Sequence, residues 1–156
     1  MRQINYIIIH CSATEAGSGI DIRDIDRWHR QKGWLCVGYH YVITENGQLQ
    51  QGRTLDTEGA HCLYHNKDSI GVCYVGGMFN GAPTDTRTAA QCARLEICVR
   101  NLLRLFPEAK LCGHRDLSPD RNGDGEITPD EWTKMCPCFN VAAWARSVGI
   151  PAKNIY

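Results

Sequence analysis

A mixed central β-sheet flanked by helices, an α/β fold in a single domain, is the architecture this sequence predicts. Three observations carry it. Short β-branched apolar runs alternate with segments of helical period, the pattern of strands linked by crossover helices. The 156 residues fit one domain, for which about 100–200 residues is usual. No repeat, low-complexity tract or linker divides them. With 43% hydrophobic and 22% charged residues, the chain can bury a core without covalent staples.

Residues 3–9, QINYIII, read as a strand buried on both faces. His10 follows at its end, where a polar side chain can serve either as a ligand or as a hydrogen-bonded core histidine. Residues 21–32 read as a helix. Ile22, Ile25, Trp28 and His29 share one face, Asp21 or an upstream Ser or Gly caps it, and Gly33 stops it. This helix is expected to be scaffold. Residues 37–43, VGYHYVI, alternate, with Tyr39, Tyr41 and Ile43 expected on one face and His40 and Val42 on the other. Glu45-Asn46-Gly47 turns the chain into a paired strand over 48–53. Residues 54–69 have no period and read as a loop, as do 78–86. Between them, 70–75 form another apolar strand. Thr86 or Thr88 caps a long helix whose apolar positions Cys92, Leu95, Val99, Leu102, Leu103 and Phe106 recur at three and four, and Pro107 ends it. Residues 110–113 make a short strand leading to His114, and 140–148 a last helix.

Charge and cysteine usage narrow the function. Seventeen basic and seventeen acidic residues cancel, which gives no electrostatic reason for a nucleic-acid or membrane partner. Nine cysteines, an odd number, show no disulfide framework and mostly sit in apolar runs. They read as buried thiols of a chain folded in a reducing compartment. Met1-Arg2-Gln3 runs straight into a strand, so cytoplasmic synthesis without a signal peptide is expected. No run approaches the ~18 apolar residues of a membrane span.

Residues 111–140 carry two kinds of metal ligand. His114 and Cys136 are of the type zinc takes. Between them, Asp120, Asn122, Asp124, Gly125 and Glu131 fit D-x-[DN]-x-[DN]-G-x5-E, the spacing of a calcium loop, with the backbone carbonyl of Glu126 and Thr128 as further ligands. The segment entering this loop does not look helical, so a full helix–loop–helix is not expected. Catalytic zinc usually takes three protein ligands, and His10 could join His114 and Cys136 if both strand ends open on one edge of the sheet.

Six segments, IIIHCSAT, IDRWHRQKGWLCVGYHYVI, GR, GAHCLYHNKDSIGVCYVGG, GHRD and KMCPCF, resemble in order the zinc-dependent N-acetylmuramoyl-L-alanine amidases of the T7 lysozyme type, relatives of the peptidoglycan recognition proteins. The resemblance covers about residues 4–145. It implies an amidase-like mixed α/β fold and hydrolysis of the bond joining muramic acid to L-alanine, by an endolysin or a wall-recycling enzyme. A non-catalytic peptidoglycan-binding protein is the alternative, though such relatives commonly lose a ligand. The resemblance places zinc on His10, His114 and Cys136, with Cys138 the rival for the third position. It makes Tyr39 and Lys134 catalytic, and His61, Asn66 and Arg53 lining of the substrate cleft. It implies a monomer acting on peptidoglycan or muropeptide. The family pattern is broken at about 119–132 by PDRNGDGEITPDEW, the calcium-type loop, expected to hold a structural calcium that places Lys134 and Cys136.

Overall fold

The strand β1, Tyr6–Cys11, sits inside a five-stranded sheet between β5, Ser69–Tyr74, and β8, Lys110–Gly113, and runs parallel to both. β3, Tyr41–Ile43, pairs parallel with β5 on its other side, and β4, Leu49–Gln51, closes that edge antiparallel to β3. Crossovers are supplied by helix α1, Ile22–Gln31, and helix α2, Ala89–Leu105, and helix α3, Val141–Ser147, follows β8. This computed structural model describes all residues, Met1–Tyr156. The mixed, helix-flanked sheet expected from the sequence is what it shows.

The period of two in β1 sorts its residues between two cores. Ile7, Ile9 and Cys11 pack with Leu95, Val99 and Leu102 of α2 and Val141 and Ala145 of α3. Ile8 faces the other way, toward Cys62 of the loop that precedes β5. On that same face Val42 and Cys73 pack against Ile25 of α1. His10 shares the Ile8 face, so the chemistry lies on the α1 side of the sheet.

The helix ends follow their sequence signals. Asp21 and Thr88 each close a capping box, with Asp24 and Gln91 as the reciprocal partners. Asn140 caps α3 through the N–H of Ala143. Gln91 is fully buried, and its side-chain amide donates to the carbonyls of Ile43 and Val75, tying α2 to the sheet.

Three expectations need correction. The first strand is Tyr6–Cys11, not 3–9, so His10 lies within it and pairs with Cys73. The strand expected over 37–43 is only Tyr41–Ile43. The N–H groups of Val37 and Gly38 are taken by side chains of α1, the Asp26 carboxylate at 2.7 Å and His29 Nδ1 at 2.8 Å, instead of by a neighbouring strand. Regular alternation therefore begins after Tyr39, which packs with Val37, Val42 and Cys73, not with Tyr41 and Ile43. Residues 78–86 are more than loop. Here β2, Thr14–Glu15, β6, Gly77–Phe79, and β7, Ala82–Pro83, make a small second sheet.

Candidate active site

His10, His114 and Cys136 converge, with one ligand atom from each lying within 4.8 Å of the others. They are the one such cluster of His, Cys, Asp and Glu in the chain. His10 Nδ1 is 3.8 Å from Cys136 Sγ, which also accepts the N–H of Cys11 at 3.2 Å. The rings of His10 and His114 stand 4.6 Å apart. Burial, the neighbouring imidazoles and Lys134 hold His10 well below its ordinary pKa. Burial, then Lys134, lowers His114 to about 4. Both rings are thus neutral at neutral pH, the form a metal requires. Two imidazoles and a thiol are a donor set that fits zinc. Cys138 turns away, its sulfur 3.9 Å from Cys11 Sγ and bonded to the carbonyl of Gly77.

Local chemistry explains the GHRD and MCPCF segments. The Asp116 carboxylate accepts the Gly113 N–H at 2.7 Å and fixes the turn that presents His114. A Cβ on Gly113 would stand 2.7 Å from Pro137 Cδ, so only glycine lets the segments carrying His114 and Cys136 approach. Arg115 donates its N–H to the Cys136 carbonyl at 2.9 Å. Tyr74 O–H donates to the Pro137 carbonyl at 2.7 Å from beneath.

Tyr39 and Lys134 flank the cluster. The Tyr39 ring lies 5.1 Å from that of His10, and burial raises its phenol well above the ordinary range, so it stays protonated. Lys134 is exposed, and its charge acts on both His10 and His114. The three residues expected to line the cleft are engaged within the protein. Asn66 Oδ1 accepts the N–H groups of His61 and Cys62 at 2.7 and 2.9 Å. Arg53 donates to the carbonyls of Val37 and Glu58. His61 Nδ1 is 2.9 Å from His10 Nε2, a contact across 51 residues that no spacing rule announces.

The calcium-type loop is folded on its own carboxylates. Asp120 accepts the N–H groups of Gly123 and Gly125, Asp124 that of Glu126, and Asn122 Oδ1 that of Asp124. Glu131 is buried and accepts from Arg121, Asn122 and Thr128. The acidic side chains are turned to backbone donors and do not gather around one point. Trp132, at the end of the loop, stacks under the Arg115 guanidinium at 3.8 Å. That contact, with Thr133 N–H donating to Ser118 Oγ, docks the insertion beside His114. Sequence reasoning did not foresee it.

Known proteins resemble this chain in sequence and in fold. A family model described as N-acetylmuramoyl-L-alanine amidase matches residues 1–136. The endolysin of Klebsiella phage KP32 is 35% identical over 144 residues, covering 92% of this chain and 86% of the phage protein. The endolysin of Escherichia phage T7 is 34% identical over 139 residues, covering 88% and 83%. Among solved structures, the N-acetylmuramoyl-L-alanine amidase LysC from Clostridium intestinale superposes with a TM-score of 0.74 at 21% identity, covering 96% of this chain and 88% of that one. Drosophila PGRP-LB does so with a TM-score of 0.71 at 22% identity, covering 96% and 84%. At those identities the two structures speak for the fold.

Proposed function

The chain belongs to the N-acetylmuramoyl-L-alanine amidase family, and from that premise we propose how its own residues carry the reaction. The activity is hydrolysis of the amide between N-acetylmuramic acid and L-alanine in peptidoglycan. One observation carries the assignment of roles: His10, His114 and Cys136 form the single metal-type cluster, with Tyr39 and Lys134 beside it.

His10, through Nδ1, His114 and Cys136 would hold zinc. What the metal supplies when bound is Lewis-acid polarisation of a carbonyl and a water acidic enough to act at neutral pH. The protein does the rest by placement. Lys134 sets a cation where the lactyl carbonyl oxygen gains negative charge as the carbon becomes tetrahedral. Tyr39 keeps its proton and donates a hydrogen bond to the same developing charge. Asn66 and Arg53 hold the cleft wall, and Asn66 Nδ2 and Arg53 Nη2, which have no partner within the chain, are the groups left to meet a muropeptide.

The role is that of an endolysin acting on the cell wall. Likeness to phage endolysins over 86% and 83% of their length supports this reading. No helix is long and apolar enough to cross a membrane. Purified sacculi lose turbidity on adding the protein, and mass spectrometry finds new N-terminal L-alanine and free lactyl carboxylate. A chelator abolishes both, and zinc restores them. Lysis indifferent to chelator would remove the metal from the mechanism. Preference for soluble muropeptides over sacculi would favour wall recycling.

We extend the proposal to calcium at the Asp120–Glu131 loop, on the support of its ligand spacing. Binding requires the side chains of Asp120, Asp124 and Glu131 to converge on one ion, which their backbone bonds permit because a carboxylate offers about four acceptor sites. Calorimetry of calcium into the zinc-loaded protein should give heat and a raised melting temperature. Neither would leave the loop as a self-capped turn.

A further inference from the structure

His10 has two ring nitrogens and two different neighbours. Nδ1 faces Cys136 Sγ at 3.8 Å, on the side of the metal cluster. Nε2 lies 2.9 Å from His61 Nδ1. A neutral imidazole carries one proton. If Nδ1 is to offer its lone pair to a metal, the proton must sit on Nε2, and Nε2–H then donates to His61 Nδ1. That nitrogen must be bare, so the proton of His61 sits on its own Nε2, 3.3 Å from the buried hydroxyl oxygen of Ser69, which accepts it. The opposite arrangement, with His61 Nδ1 as donor, would put the proton of His10 on the nitrogen that faces the cluster.

His61 is held for this task on every side. The Asn66 side chain fixes its backbone N–H. Its ring fills a slot between two glycines, since a Cβ on Gly71 would stand 2.6 Å from the ring and one on Gly59 2.4 Å. The rings of His10 and His61 meet edge to face at 89°.

We propose that His61 and Ser69 form a positioning relay that fixes the tautomer and orientation of His10 for the metal, a role distinct from lining the substrate cleft. The proposal rests on the reading of His10 as a zinc ligand through Nδ1. Partners of this kind are worth about 10–100-fold in metal affinity. His61→Ala, which removes the acceptor, should weaken zinc binding by that factor in competition with a chromophoric chelator. His61→Asn restores an acceptor near the Nδ1 position and should recover most of the loss. Ser69→Ala should give a smaller loss of the same sign.

Nitrogen–proton correlation NMR of the zinc-loaded wild type supplies a readout that packing alone does not move. It should show a proton on His10 Nε2, shifted and slowed in exchange, and in His61→Ala that proton should exchange fast. Wild-type protein that takes up no zinc would defeat the underlying reading. Wild type that binds zinc while His61→Ala binds it equally well would overturn the relay alone. A zinc-loaded His10 carrying its proton on Nδ1 would overturn both the relay and ligation through Nδ1, a result the wild type provides even if His61→Ala does not fold. A substrate-only role for His61 predicts a raised KM with zinc affinity unchanged, and that result also overturns the relay.

Discussion

At the scale of single residues, two cysteines separated by one proline are given different work. Cys136 Sγ accepts a backbone N–H and faces His10, whereas Cys138 Sγ faces Cys11 and the Gly77 carbonyl. Cys136→Ala should therefore lose both zinc, measured by atomic absorption, and hydrolysis. Cys138→Ala should keep one zinc per chain, and its loss there would reverse the ligand assignment. Tyr39 and Lys134 sit beside the cluster without belonging to it. Tyr39→Phe and Lys134→Ala should each lower kcat by about 10²–10³-fold, the usual cost of removing one donor to a developing oxyanion, at unchanged zinc content. A loss of metal in either variant would recast that residue as structural.

At the scale of elements, legibility in the sequence followed the locality of the forces. The helices were readable because their caps lie beside them, as Asp21 and Thr88 show. The short β3 was overextended because the donors of Val37 and Gly38 are claimed by Asp26 and His29, from another element. His10, His114 and Cys136 span residues 10 to 136, so spacing could only suggest the trio and family resemblance had to join it before the fold did. The insertion was visible as a loop, but its docking through Trp132 and Arg115 was not, since stacking leaves no periodic trace. Glu131 is the centre of that loop. The N–H groups of Thr128, then Arg121, draw its carboxyl below the ordinary range. A carboxylate with a lowered folded pKa stabilises above its unfolded pKa, and the effect is lost as pH falls through the folded value. Amide exchange protection at Arg121, Asn122 and Thr128 should thus persist below the ordinary glutamate range. In Glu131→Gln it should be weak at every pH. Equal protection in the variant would show that the loop is held from elsewhere.

At the scale of the whole molecule, the α1 side of the sheet is a layer of histidines kept neutral by the fold. Besides His10 and His114, His29 and His40 are both buried, and desolvation brings each to about 4. Each also accepts a backbone N–H at Nδ1, His29 from Gly38 and His40 from Gly71, so protonation there breaks a bond as well as placing a charge in the core. An unfolded histidine titrates near 6.5. Between about 6.5 and 4 the unfolded chain therefore binds protons that the folded chain refuses. Stability must fall as pH drops through that window, by about 1.4 kcal/mol per pH unit for each proton taken up on unfolding. Urea titrations of the zinc-free protein should give a midpoint that declines steadily as pH falls from about 7 toward 4. His40→Asn keeps an acceptor for the Gly71 N–H but does not titrate, so it should flatten the decline by one proton's worth while leaving the neutral-pH midpoint close to that of the wild type. A slope identical to wild type in that variant would mean that His40 is protonated in the fold, and that its bond to Gly71 is not what keeps this layer closed.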